Sequence, residues 1–520
     1  MCRCVPCWAE LYESEEGRGN EREMVWLVSV VPPGLAGFDW PGPGADAPGY
    51  SRASLRACDF FKNNHILLIY NVVMIISGET LPGQERVERA SLRLRLPQRN
   101  QMTMVVACPD DLVSATHPVR MVMAVVDTLD LSWFHEPIKA RDGVAGRDAT
   151  APQLLVALWL YACIRGIGSA RELARRCQES APFRWLCGGV SVNYHLLADF
   201  RTEHGTALDD LFTQVIASLV DKDLVHVSRV SQDGVRVRVS AGGGSFRRGE
   251  HLHKLLAAAR EHVEQVGQQV DSPEHAALTA RQQAARLRAV REREQRLQQA
   301  IEQLPELERR QAERSKKVGQ GPAGKKVRER QPRVSTTDAE ARRMKMPNGG
   351  FNPAVNVQLA TDTESRAILG VEVSNEGSDN AGLSEPMREQ IEQRTGSKVQ
   401  QHLLDGGYMR KDDLERAQTA GVELFIPPKM AQDTARRGRE LDARPGDTAA
   451  VQAWKQRMSA ETGKEIYRQR AATSETVNAD LRTYRGLTQI TVRGLQKARC
   501  IALWCALAYN LMHFGHELLA

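Results

Sequence analysis

Apolar and polar positions change their spacing several times along the 520 residues. From Leu131 the spacing is helical. DATAPQLLVALWLYACIRGIGSARELARRC predicts a strongly apolar helix with Thr150 as N-cap and Pro152 in its first turn. A glycine break at Gly166–Gly168 leads to a second helix, Ser169–Cys177, and a third is expected from Asn193 through Arg201. The period then drops to two. VHVSRVSQDGVRVRVSA predicts two strands with Asp233-Gly234 turning between them. Residues 250–316 are helical again, with Leu287, Val290, Leu297, Ile301 and Leu304 approximating an a/d stripe. Pro273 and Pro305 interrupt that tract, so a helical hairpin or short coiled coil is expected rather than one rod.

Period two resumes in VNVQLATD and AILGVEVS, an antiparallel hairpin turning at Asp362–Arg366. KVQQHLLDGGYMRKDDLERAQTAG predicts a short strand ending at Asp405, a Gly-Gly turn, and a helix from about Lys411. With the strands around Asp233 this makes a mixed sheet of about five strands. Residues Ile426 to Lys464 are polar, Pro-flanked and Arg-rich, and read as a linker or insertion. The last stretch, YRQRAATSETVNADLRTYRGLTQITVRGLQKARCIALWCALAYN, begins as a helix. Glu475 and Arg482 are seven apart, hence on one side of it. A loop containing Arg485, Gly486, Arg493 and Gly494 follows, and then an apolar helix.

Residues 1–100 follow none of these patterns. Cys2, Cys4 and Cys7 have no second pair or His at ligand spacing, which speaks against zinc. The apolar run Ile66–Ser77 is shorter than the ~20 residues a membrane span requires and fits a buried strand better. It also lacks the flanks of a signal peptide. The change of pattern near residue 100 points to a downstream start such as Met102 or Met104.

Charge alters the picture in one place. The net charge is only +6, yet Arg309–Arg333 holds ten Lys/Arg against two Glu, a net of +8. Such a run, containing Lys316, Lys317, Lys325 and Lys326, is a solvated linker or an arm that tracks a polyanion. The helical region carries Arg171, Arg175, Arg176, Arg184 and Arg201 around a helix–turn–helix pattern, which fits a DNA-reading unit. The ten Cys form no disulfide framework and suit a reducing cytosol. AGGGSFRRGE lacks the Gly-Lys-Ser/Thr of a phosphate loop, so no nucleotide is implied.

A carboxylate, Glu475, beside Tyr467, Arg470 and Arg482 suits a place where an anion and a cation meet, such as a phosphodiester on a carboxylate-bound metal. Asp233 and Asp405, each next to glycine, are free to reach into the same cleft. Asp338, Asp362 and Asp379 are expected to be solvated loop acids.

Four blocks in order carry a family likeness: Gln232-Asp233-Gly234, Asn352–Asp362, Leu403–Tyr408 and Tyr467–Arg482. Together they resemble the Asp-Asp-Glu (DDE) transposases of bacterial insertion sequences. The spacing differs in two details: Arg470 precedes Glu475 by five rather than four, and Arg482 stands where Lys is usual. The resemblance implies an α/β, RNase H-like mixed sheet with flanking helices over residues 223–249 and 334–520. A basic helical insertion would fill 250–333 and an all-helical DNA-binding domain 101–222, after an extension at 1–100. It implies Asp233, Asp405 and Glu475 as catalytic ligands of Mg²⁺ (or Mn²⁺), with Tyr467, Arg470 and Arg482 on DNA phosphates. The partners would be double-stranded transposon ends and target DNA, bound by a homodimer in the bacterial cytoplasm at the nucleoid, away from any membrane. A nuclease that cuts without joining, or a decayed DNA-binding protein, are the alternatives.

Overall fold

The computed structural model describes residues 68–69, 72–73, 108–141, 143, 145–270, 279–318, 321, 325, 329–379, 382–428 and 441–520. The chain forms two compact units, Met1–Met102 and Thr103–Ala520. In the first, β1 (Leu68–Ile69) and β2 (Val72–Val73) pair antiparallel within the apolar run. The three N-terminal cysteines, Met102 and Met104 lie outside the described residues.

The second unit opens with seven helices: α1 (Pro118–Thr128), α2 (Ser132–His135), α3 (Pro152–Ile164), α4 (Ala170–Glu179), α5 (Ala181–Cys187), α6 (Tyr194–Glu203) and α7 (Gly205–Asp221). Helix α3 is apolar on every side and buried along nearly all its length, as a central helix must be. Its N-cap is Ala151 and not Thr150, because Pro152 takes the first helical position, where a missing N–H costs nothing. Ser169 and Asn193 cap α4 and α6 by accepting from Glu172 N and Leu196 N.

Chain order continues with β3 (Arg229–Val239) and β4 (Phe246–Arg247), then the insertion helices α8 (Gly249–Val270), α9 (Ala280–Glu302) and α10 (Leu304–Val318). Helices α8 and α9 pack as a hairpin on a small core of Leu252, Leu256, Leu297 and Leu304. Pro305 lies in the first turn of α10, and Pro273 lies outside the described residues. There follow β5 (Val334–Ser335), which pairs with β4, β6 (Arg342–Lys345), β7 (Phe351–Asp362), β8 (Ile368–Ser374) and α11 (Ser384–Thr395). The remainder is β9 (Gln401–Leu404), α12 (Lys411–Thr419), β10 (Glu423–Phe425), α13 (Ala449–Ser459), α14 (Glu461–Arg470), α15 (Thr476–Thr483), β11 (Gln489–Ile490) and α16 (Leu495–Leu519).

Seven strands form one mixed sheet in the order β10-β9-β3-β7-β6, with β11 also on β3 and β8 also on β7. Strand β3 is parallel to β9 and β11 and antiparallel to β7. Two expectations are corrected here. VHVSRVSQDGVRVRVSA is a single strand, not a hairpin: Val230 to Arg238 pair residue by residue with Asp362 to Ala354, and Asp233-Gly234 sits mid-strand. Residues 441–464 are not a linker: Val451, Trp454 and Met458 of α13 pack on Leu414, Leu424 and Phe425 in a second apolar core. The β7–β8 hairpin is as expected, turning through Arg366 with φ 63°.

One large core joins the helical region to the sheet through α16, which packs on α1, α3, α6, α7 and β8. Asn510 pins α16 to the sheet: its amide accepts from Ile368 N (2.9 Å) and donates to Ile368 O (2.8 Å). Among the described residues no helix is long and apolar enough to cross a membrane.

Candidate active site

Pairing fixes which face each residue of β3 presents, because directly opposed residues share a face and alternate along the strand. Asp233, Val235 and Val237 oppose Leu359, Val357 and Val355; Gly234 and Arg236 oppose Gln358 and Asn356. The Asp233 face meets the helix run of α14 and α15, and the Gly234 face meets the loop holding Asp379.

Asp405 follows directly on β9. Since Leu404 pairs with Gln232 in parallel register, the next residues, Asp405 and Asp233, are neighbours across the strands. The glycines after Asp405 make a tight 3-10 turn, Gly406–Tyr408, and the Asp405 carboxylate accepts from Gly407 N. The acid–Gly–Gly pattern did in the sequence what it does in space.

Glu475 ends a five-residue π turn, Ala471–Glu475, that joins α14 to α15 without a break. A π turn bonds i to i+5, so residues five apart stack on one side as residues four apart do in an α-helix. Arg470 and Glu475 are five apart; the extra residue in the spacing is the residue the π turn accommodates. The same run lies on β3 through four contacts, one of them Arg229 Nη1 donating to Gln469 Oε1 at 2.8 Å. Arg470 Nη2 is 3.0 Å from Asp233 Oδ1, Asn478 Nδ2 donates to Asp233 Oδ2 at 3.0 Å, and the Ser474 and Ser231 hydroxyls meet.

The electrostatics follow from that placement. Burial pushes the Asp233 carboxyl above the ordinary range; Arg470 opposes it, and Asp405 and Asp379 add to it by like-charge repulsion. Burial alone works against the charge on Arg470, but Asp233, Tyr467, Asp405 and Glu475 around it together raise its pKa. Of the three acids of the sequence reading, Asp233 is the one in direct contact with Arg470. Tyr467 is half-buried, its phenol pushed up by burial. Glu475 and Arg482 are exposed.

The Gly234 face was missed. Asp379 accepts from Asn356 Nδ2 (2.8 Å) and Gln358 Nε2 (3.0 Å), and Gln358 accepts from Gln232 Nε2 (2.9 Å) and the Tyr408 hydroxyl. Gln232, Asn356 and Gln358 are fully buried. Asp379 is thus a fixed member of the site's underside and not a solvated loop acid. Asp338 and Asp362 are buried too. Asp362 accepts from Ser365 in the β7–β8 turn, and Asp338 accepts from Glu340 N and Gly494 N.

The basic residues divide. Arg175 and Arg176 are exposed but paired along α4 with Glu172, Arg175 also with Glu179. The Arg171 guanidinium lies 5.2 Å from the Tyr194 ring centre on α6, and Arg184 is exposed. Arg201 is withdrawn from any DNA face: it is buried, donates to Gly168 O, and stacks on Trp159. Lys316 and Lys325 are exposed, and Lys325 lies 3.9 Å from Glu329. The side chains of Lys317 and Lys326 lie outside the described residues.

Residues 286–511 match the family model described as a transposase DDE domain, and residues 107–203 match one described as a transposase domain, DUF772. Together the two span more than half of the chain. The chain belongs to the DDE transposases. No curated protein matches the sequence. Within this transposase the DDE match takes in Asp405 and Glu475 but begins after Asp233, whose place in the site rests on the register of β3 and on its ion pair.

A divalent cation is what the family implies, and the donor set can be tested against one. Among the described residues no three acidic, His or Cys side chains form a ready-made cage. Mg²⁺ does not ask for one: it takes one or two carboxylates and completes its shell with phosphate and water. Two neighbouring carboxylates, one of them kept from water and crowded by like charge, fit that pattern.

Proposed function

We propose that this transposase binds the double-stranded ends of its element, hydrolyses the DNA there, and joins the freed 3′-hydroxyls to target DNA. The catalytic unit reads as RNase H-like, a reading supported by the mixed sheet with β3 central and by an acid on each of two adjacent parallel strands. Asp233 and Asp405 would hold Mg²⁺ or Mn²⁺, with Glu475 closing the site from the helix side. Such ions activate an attacking water or hydroxyl and stabilise the leaving oxygen of an in-line displacement. The protein's part is placement. Arg470, Tyr467 and the exposed Arg482 hold phosphates beside the acids, and Asn478 orients the Asp233 carboxylate. The partner is duplex DNA, gripped as a homodimer at the nucleoid.

The observation that carries this reading is the placement of Asp233 on β3 beside Asp405 after β9, with Asp233 ion-paired to Arg470 in the helix run that also holds Glu475. Asp233→Asn, Asp405→Asn and Glu475→Gln test it on DNA flanking the gene. Each is expected to abolish cleavage and strand transfer while binding of the ends persists, since binding draws on Lys and Arg. A Glu475→Gln protein that still cuts in Mg²⁺ removes the π-turn acid from the site.

A further inference from the structure

Both oxygens of Asp233 are engaged by the protein's own side chains, Oδ1 by Arg470 and Oδ2 by Asn478. The ion pair is enclosed, with side-chain exposures of 12% for Arg470 and 20% for Asp233, so water screens it little. A cation arriving at Oδ1 would meet a guanidinium already there. Two positive charges on one carboxylate oxygen in such surroundings repel strongly. Arg470 also keeps a donor in reserve: its Nε is buried and has no hydrogen-bond partner in this arrangement. A planar guanidinium with free donors is matched to phosphate oxygens.

Resting on the reading of Asp233 as a metal ligand, we propose that Arg470 is the site's resident counter-ion. It holds Asp233 closed to divalent cations until a DNA phosphate draws the guanidinium away, so that DNA and metal bind cooperatively. Metal-free protein keeps its buried carboxylate neutralised by Arg470. Bound DNA takes over Arg470 and leaves Asp233 to the cation. Coupling of this kind is reciprocal, so the metal must favour DNA by the same factor that DNA favours the metal. The arrangement would also keep a loaded, hydrolytic site from existing away from DNA.

The test is direct binding of Mn²⁺ to the full-length protein, read from the electron paramagnetic resonance signal of free Mn²⁺. No catalysis enters the measurement. Arg470→Gln should bind Mn²⁺ about tenfold more tightly than wild type without DNA, within the range usual for such couplings. Arg470→Lys, which keeps the charge, should stay near wild type. Adding a short duplex oligonucleotide should tighten Mn²⁺ binding to wild type and leave Arg470→Gln unmoved. Equal or weaker binding by a folded Arg470→Gln overturns the proposal, and so does wild-type affinity indifferent to the duplex, an arm that needs no variant. Asp233→Asn separates the two layers. If it binds Mn²⁺ as wild type does, Asp233 is no ligand and the underlying reading fails with the proposal. If it loses binding while Arg470→Gln gains none, only the counter-ion role falls.

Discussion

Gly234→Ala puts one methyl group into the underside of the site. A Cβ at this position would overlap Gln358 Nε2, Asp379 Oδ1 and Asn356 Oδ1. These are side-chain ends, but enclosed ones hydrogen-bonded to each other, and they cannot part without breaking a hydrogen bond from a side-chain amide to Asp379. Overpacking a tight site costs about 1–3 kcal/mol. Losing a hydrogen bond to a charged acceptor costs about 1.5–3 kcal/mol. The better strand propensity of alanine returns about 0.5–1 kcal/mol. The expected loss is about 1.5–5.5 kcal/mol, located in β3 and β7. Native-state hydrogen exchange reads it locally, with peptides of the α8–α9 hairpin as an unaffected reference. Asp379→Ala removes the obstructing oxygen, so in the double variant the two losses should be less than additive by about 1–3 kcal/mol. Unchanged exchange in β3, or strict additivity with Asp379→Ala, would refute the steric account of why glycine follows Asp233.

Two further outcomes are expected. His402 on β9 is fully enclosed, and burial, with Arg388 Nη1 3.3 Å from its Nδ1, holds its pKa well below the ordinary value. The unfolded chain takes up that proton near pH 6.5 and the folded one does not. Stability should therefore be full above about 6.5 and fall by up to about 1.4 kcal/mol per pH unit below it. His402→Gln should flatten that slope in urea denaturation, and an identical slope would place the titrating group elsewhere. If the run Arg309–Arg333 tracks phosphates, neutralising Lys316, Lys317, Lys325 and Lys326 should weaken binding to all sequences alike. The salt dependence should drop by roughly 0.9 for each lost contact; an unchanged slope makes the segment a solvated linker.

The parts of the site legible in the sequence were those set by local chemistry. Asp405 was placed at a strand end because glycines allow the tight turn behind it, and that turn is there. The same local logic misread Asp233-Gly234. Asp-Gly is a frequent turn pair, but here the glycine answers a crowding partner on β7 and the 379 loop, which only tertiary structure brings close. Asn356 and Gln358 alternate with valines as an outward face would, yet both are buried under Asp379. The five-residue gap between Arg470 and Glu475 looked like a departure until the π turn gave it a geometry. Helix α13 could have been found: Val451, Trp454 and Met458 have helical spacing within an otherwise polar stretch.

Helix α16 has a consequence for synthesis. It is made after the elements it packs on, α1 and α3 of the helical region and β8 of the sheet among them. Chains emerge from the ribosome N-terminus first, and early domains commonly fold while later ones are still being made. Here the helical region cannot close its core until residues 495–519 have been translated. A product that stops short of α16 would uncover the apolar faces of α3, α6 and α7 that pack on it, Phe200 against Trp504 among them, and would be aggregation-prone rather than a competent DNA binder. Frameshifted or truncated copies of the gene would then yield little folded protein.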